Sequence, residues 1–137
     1  MQEISKMIAL DTNILIRLIV DDSPAQSHIA AQLVRDNQVF IAKTVLMESE
    51  WVLRHTYRFS RAQIETFLLA ILDTSNTVVE NRQHVERSME WYRLGADFAD
   101  ALHLAAADNA LLHTFDQQFC KAARKAKSAP DVRVLEV

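Results

Sequence analysis

Four acidic side chains in this sequence stand where carboxylates can do chemistry. Asp11 ends the apolar run Met7-Ile-Ala-Leu and is followed by Thr12, Asn13 and then Ile14, Leu15 and Ile16. Asp116 ends a second such run, Leu111-Leu112-His113-Thr114-Phe115. Asp100 follows Asp97 by three residues, inside the stretch Phe98–Ala107, which is apolar nearly all round. Glu48 lies in Thr44-Val-Leu-Met-Glu-Ser-Glu-Trp-Val-Leu. The three-and-four spacing of a helix puts it on one face with Val45, Trp51 and Val52. An acid on an apolar face must be paired, protonated or bound to a cation. Glu50 falls nearer Leu46, Leu53 and Arg54, and an ion pair with Arg54 four residues on accounts for it.

An acid that ends a strand and precedes a helix points to the region where open α/β sheets bind ligands. It also sits at the positive end of the helix dipole, which favours anions. Simple helix capping is the alternative for Asp11, and is stronger for Asp97. Four carboxylates gathered in one crevice repel one another unless a cation joins them. Oxygen donors without a thiol or His set select Mg²⁺, with Mn²⁺ as substitute, over Zn²⁺. A carboxylate-held Mg²⁺ activates water and attracts phosphate, and a second ion steadies a leaving oxygen. That chemistry suits phosphodiester hydrolysis.

Composition removes most other chemistries. Gly95 is the only glycine, so a phosphate-cradling P-loop, a dinucleotide turn and a serine nucleophile elbow are all excluded. The single cysteine, Cys120, has no partner for an internal disulfide, and the five histidines show no zinc spacing. A reducing, cytoplasmic setting is expected. Met1 to Met7 carries Glu3 and Lys6 and has no signal-like apolar core, and no run is long enough to span a bilayer. Half of the 137 residues are hydrophobic, which predicts one domain over 1–137 with a real core. The net charge of −3 argues against nucleic-acid binding by bulk electrostatics. Its distribution points the other way. Arg54, Arg58 and Arg61 form one basic segment, and Lys121, Arg124, Lys125 and Lys127 another. Either they are solvated helix faces or they grip phosphates around an acidic centre.

These residues need a scaffold, and the pattern supplies one. Short strands are expected at Met7–Leu10, Val39–Ala42, Thr77–Glu80, Leu111–Phe115 and Val132–Leu135, the first two buried and the last at an edge. Helices are expected between them. One starts at Ser23-Pro24-Ala25-Gln26 and turns Ile29, Leu33 and Val34 inward. One is capped by Thr44, and one starts at Ser60-Arg61-Ala62-Gln63 with the stripe Ile64, Phe67, Leu68, Ile71 and Leu72. Another, carrying Val85, Met89 and Tyr92, ends at Gly95. Strands alternating with helices predict a parallel α/β sheet with helices on both faces.

The chain resembles the PIN-domain family, specifically VapC-type toxins of bacterial toxin–antitoxin pairs. The matching residues are Leu10-Asp11-Thr12-Asn13-Ile14-Leu15, Glu48 in its segment, Asp97-Phe-Ala-Asp100-Ala-Leu-His-Leu-Ala, and Thr114-Phe-Asp116. They cover nearly the whole chain in the family's order. The resemblance implies a three-layer α/β/α domain with a central, mainly parallel sheet of four to five strands. It implies a metal-dependent endoribonuclease with acidic ligands at Asp11, Glu48, Asp100 and Asp116, and a supporting acid at Asp97. It also implies homodimerisation and inhibition by a cognate antitoxin. Thr12, Asn13 and Thr114 are then placed to hydrogen-bond waters or phosphate. Phe115 departs from the polar residue that many relatives carry.

Three rival readings remain at this level. A non-catalytic PIN-like module would bind RNA or protein only. A haloacid-dehalogenase-like phosphatase also starts from a strand-end Asp, but needs a second acid where this chain has Asn13. An ordinary globular domain would use the acids only as caps.

Overall fold

The computed structural model describes residues 7–125 and 132–137. Within them, five strands and seven helices alternate. The chain divides into two compact units, Met1–Glu80 and Asn81–Val137.

The first unit runs β1 (Met7–Ala9), α1 (Thr12–Arg17), α2 (Pro24–Asp36), β2 (Gln38–Ile41), α3 (Lys43–His55), α4 (Arg61–Asp73) and β3 (Thr77–Val79). Its sheet has the order β1-β2-β3, all parallel, with Ile8 opposite Val39 and Ile41 opposite Val79. Val39 and Ile41 are buried, whereas β1, first in this three-strand order, has Met7 and Ala9 exposed. The buried anchor expected of the first strand is Leu10, just beyond its end.

Sequence signals of differing strength had differing outcomes at the helix starts. Ser60 and Gln63 form the full capping box, with Ser60 Oγ accepting from the Gln63 amide at 3.1 Å and Gln63 Oε1 accepting from the Ser60 amide at 2.8 Å. Ile64, Phe67, Leu68, Ile71 and Leu72 are all buried along α4, each contributing about 1.5–3 kcal/mol of apolar transfer. Thr44 does not cap α3. Its first free amide, on Lys43, donates instead to Glu80 Oε1 at 2.9 Å. A carboxylate from beyond β3 thus takes the place of a local cap and complements the dipole. Ser23 stands at the cap position of α2 without a capping bond, and the Gln26 side chain is taken by Arg17 Nε at 2.9 Å. On α2, Ala30 is buried, Leu33 and Val34 are half-buried, and Ile29 is exposed. The inward face is therefore centred on the small Ala30, three and four residues before Leu33 and Val34.

The second unit contains α5 (Arg82–Arg93), α6 (Phe98–Ala107), β4 (Leu112–Thr114), α7 (Gln117–Arg124) and β5 (Val132–Val134). Helix α5 stops at Gly95, whose φ of +108° is open to glycine alone without strain. Val85, Met89 and Tyr92 are buried against α6, and Tyr92 meets Phe98 edge-on at 5.5 Å. Ala101 and Ala105 are fully buried and allow close approach, while His103 and Ala106 face solvent. A core of Trp91, Leu104, Phe119 and Cys120 receives Leu112, Val132 and Val134 from the strands. β4 and β5 pair in parallel, with Leu112 opposite Val132 and Thr114 opposite Val134.

The fold is therefore α/β with parallel strands, as expected. The strands form a three-stranded sheet in the first unit and a two-stranded sheet in the second. Most are only three residues long, and each ladder stays within its own unit. No helix among the described residues is long and apolar enough to cross a membrane.

Candidate functional site

In the first unit, β1 delivers Asp11 to the start of α1. Asp11 Oδ1 accepts from the Thr12 amide at 2.7 Å, so the residue does cap its helix. Capping engages one oxygen. The carboxylate is exposed and lines a cavity of about 260 Å³ together with Thr12, Asn13, Arg17, Glu48 and Tyr57. A larger cavity of about 600 Å³, between Leu18, Arg35, Gln38 and Asn76, holds a single carboxylate, Asp36, and offers no acidic pair.

Glu48 reaches that smaller cavity by a route the sequence did not indicate. The buried stripe of α3 is Leu46, Ser49, Glu50 and Leu53, whereas Glu48 and Trp51 are exposed. Glu48 is thus not on the apolar face; its position beside Asp11 is what singles it out. Glu50 is the buried acid, and Arg54 neutralises it through two contacts, Nε to Oε2 at 2.7 Å and Nη2 to Oε1 at 3.2 Å. The expected Glu50–Arg54 pair is present, and it occupies Arg54 away from any phosphate-gripping role.

One wall of the cavity is a network that sequence reading missed. Arg17 pairs with Asp22, and the same Asp22 accepts from the Tyr57 hydroxyl at 3.1 Å. Asp22 and Tyr57 are 35 residues apart, and no local pattern links them.

In the second unit, the acids cluster at two helix starts. Asp97 caps α6, accepting from the Asp100 amide at 3.1 Å. Asp116 caps α7, accepting from the Phe119 amide at 2.9 Å, and its own amide donates to Thr114 Oγ1 at 3.0 Å. Asp100, in the first turn of α6, caps nothing and is half-buried. Burial pushes its carboxyl above the ordinary value, the charges of Asp97 and Asp116 push further, and His103 opposes them. Three carboxylates therefore share one field, and a cation there would relieve it.

The donor chemistry fits Mg²⁺ or Mn²⁺: exposed or half-exposed carboxylate oxygens, with no thiolate. Cys120 is buried, and burial raises its thiol. Among the described residues, no three or more His, Cys, Asp or Glu are grouped so as to hold a metal ion. Asp11 and Glu48 line one cavity in the first unit, and in the second Asp97 and Asp116 stand near enough to Asp100 to act on its charge. Of the basic residues, Arg58, Arg61, Lys121, Arg124 and Lys125 are exposed. Glu3, Lys6 and Lys127 lie outside the described residues.

Comparison with family models matches residues 8–125 to the PIN domain. The chain belongs to the PIN-domain family, whose members are typically metal-dependent nucleases. No curated protein and no solved structure matches it.

Proposed function

We propose that this protein is a Mg²⁺-dependent endoribonuclease of the VapC toxin type, with Mn²⁺ as an alternative ion. The observation that carries the reading is the meeting of Asp11 and Glu48, distant in sequence, along one cavity. Asp11, Glu48, Asp100 and Asp116 are the residues that would hold the metal, with Asp97 supporting. When bound, the ion supplies an activated water and offsets charge on the phosphate.

The rest of the chemistry falls to positioning by the chain. Asp11 keeps one oxygen on the Thr12 amide, which fixes the carboxylate and leaves the other for the metal. Asp97, by holding the Asp100 amide, sets the start of α6 and with it the Asp100 side chain. Thr114 fixes the turn into Asp116 in the same manner. Thr12 and Asn13 line the cavity and have the donors to orient phosphate or water. Arg58 and Arg61, with Lys121, Arg124 and Lys125, offset the repulsion between an acidic centre and a polyanion. A cytoplasmic homodimer, restrained by a cognate antitoxin that occupies the acidic groove, completes the proposal.

The test is cleavage of end-labelled RNA by purified protein. Fragments are expected with Mg²⁺ or Mn²⁺, and none with EDTA or with Glu48→Gln. Undiminished cleavage in EDTA would overturn the reading. Turnover of a small phosphate ester without RNA cleavage would favour a phosphatase instead.

A further inference from the structure

Trp51 is 54% exposed, whereas the second tryptophan, Trp91, is 1% exposed. Among the described residues of α3, Trp51 is the one large apolar side chain left in solvent. It is not loose. Its indole stacks on the His55 imidazole with ring centroids 4.4 Å apart and planes 26° from parallel. The imidazole is itself fixed from both sides. Nδ1 lies 3.1 Å from the Trp51 carbonyl, which can only accept, so Nδ1 carries the proton. Nε2 lies 3.5 Å from Arg54 Nη1, which can only donate. Arg54 is in turn anchored on buried Glu50. An exposed indole is thus held in one orientation by a chain of contacts that ends in the core.

Its position gives this rigidity a use. Glu48, Trp51 and His55 follow at helical spacing along the exposed face of α3. At about 1.5 Å rise per residue, Trp51 lies roughly 4.5 Å and His55 roughly 10 Å along the axis from Glu48. Stacked nucleotides advance about 3.4 Å per step, so the pair lies one to three nucleotides from the acidic cavity. Exposed aromatic rings beside a cation take nucleobases through their π faces, without regard to sequence. The polar surroundings, Glu48, Arg54 and His55, do not make the contiguous apolar patch that a protein partner would want.

We propose that Trp51, backed by His55, is a stacking platform for an unpaired base of the RNA, next to the nucleotide whose phosphate meets Glu48. The inference rests on the ribonuclease reading.

The experiment uses the full chain in EDTA, where hydrolysis is not expected, with short oligouridylate and oligoadenylate and a matched RNA duplex as probes. Because Trp91 is buried, a change in intrinsic fluorescence reports Trp51. Single strands should quench it and the duplex should not. Trp51→Ala should weaken single-strand binding, read by anisotropy of labelled RNA, about fivefold or more, from the ~1–3 kcal/mol typical of a base–aromatic stack. Trp51→Phe should keep most of the affinity, which guards against a folding defect in the alanine variant. Equal binding by wild type and Trp51→Ala, or binding without quenching, overturns the platform. Quenching and binding without cleavage once Mg²⁺ is restored leaves the platform standing and removes the ribonuclease reading. Cleavage with unchanged binding in Trp51→Ala does the reverse.

Discussion

Asp97 holds the amide of Asp100 at 3.1 Å, and the same carboxylate helps to keep the Asp100 side chain from ionising. One residue therefore both builds the start of α6 and raises the energy of the charge placed there. Structural acids favour their ionised form; this arrangement does the opposite, as expected where a cation is to be received.

The pH dependence of stability follows from that relationship. Burial, then Asp97 and Asp116, hold the Asp100 carboxyl above its ordinary value, so the native state keeps the proton to higher pH than the unfolded chain does. Between those two values the native state binds more protons, and metal-free stability falls as pH rises. Asp100→Asn removes this fall. Melting curves from pH 3 to 7 in EDTA should show the variant at least as stable as wild type at pH 7, and curves with Mg²⁺ and no EDTA should show that the ion no longer raises its melting temperature.

Asp11 separates folding from chemistry. Asparagine caps a helix about as well as aspartate, so Asp11→Asn should melt within a degree or two of wild type in EDTA and lose RNA cleavage at least a hundredfold. Asp11→Ala should lose both, with a stability deficit of about 0.5–2 kcal/mol by denaturant titration.

Glu48 and Glu50 should exchange phenotypes. Glu48 is exposed in the cavity, so Glu48→Gln leaves denaturant stability unchanged and abolishes cleavage. Arg54→Ala removes the cation that pairs with the buried Glu50 carboxylate. Breaking a fully buried pair costs about 3–5 kcal/mol; because Arg54 is partly exposed, a loss below that range is expected in urea unfolding.

Cys120 is fully buried, and burial outweighs nearby Arg124 in keeping its thiol protonated. A thiol reagent at pH 8 should modify it only as fast as the second unit opens, and fully once urea unfolds the chain.

The elements that the sequence announced plainly are those whose signals are local. The capping box at Ser60 and Gln63, the α4 stripe and the stop at Gly95 depend on neighbours within a turn or two, and each is present. The features that escaped depend on distant partners. Glu80 caps α3 from 37 residues away, which no pattern around Thr44 reveals. Helical periodicity chose the wrong face for Glu48 because Trp51 and Val52 look apolar in sequence, while the buried stripe of α3 includes two polar residues, Ser49 and Glu50. The Arg17–Asp22–Tyr57 wall was silent for the same reason. The positions of Asp11, Asp97, Asp100 and Asp116 were nonetheless legible, because strand ends and helix starts mark them whatever the packing.

Calorimetric titration of Mn²⁺ into wild type, Asp11→Asn and Asp100→Asn tests most directly the proposal that these carboxylates hold a metal ion. The account predicts millimolar or tighter binding to wild type and a marked loss in each variant. Wild-type affinity retained in either variant would contradict it.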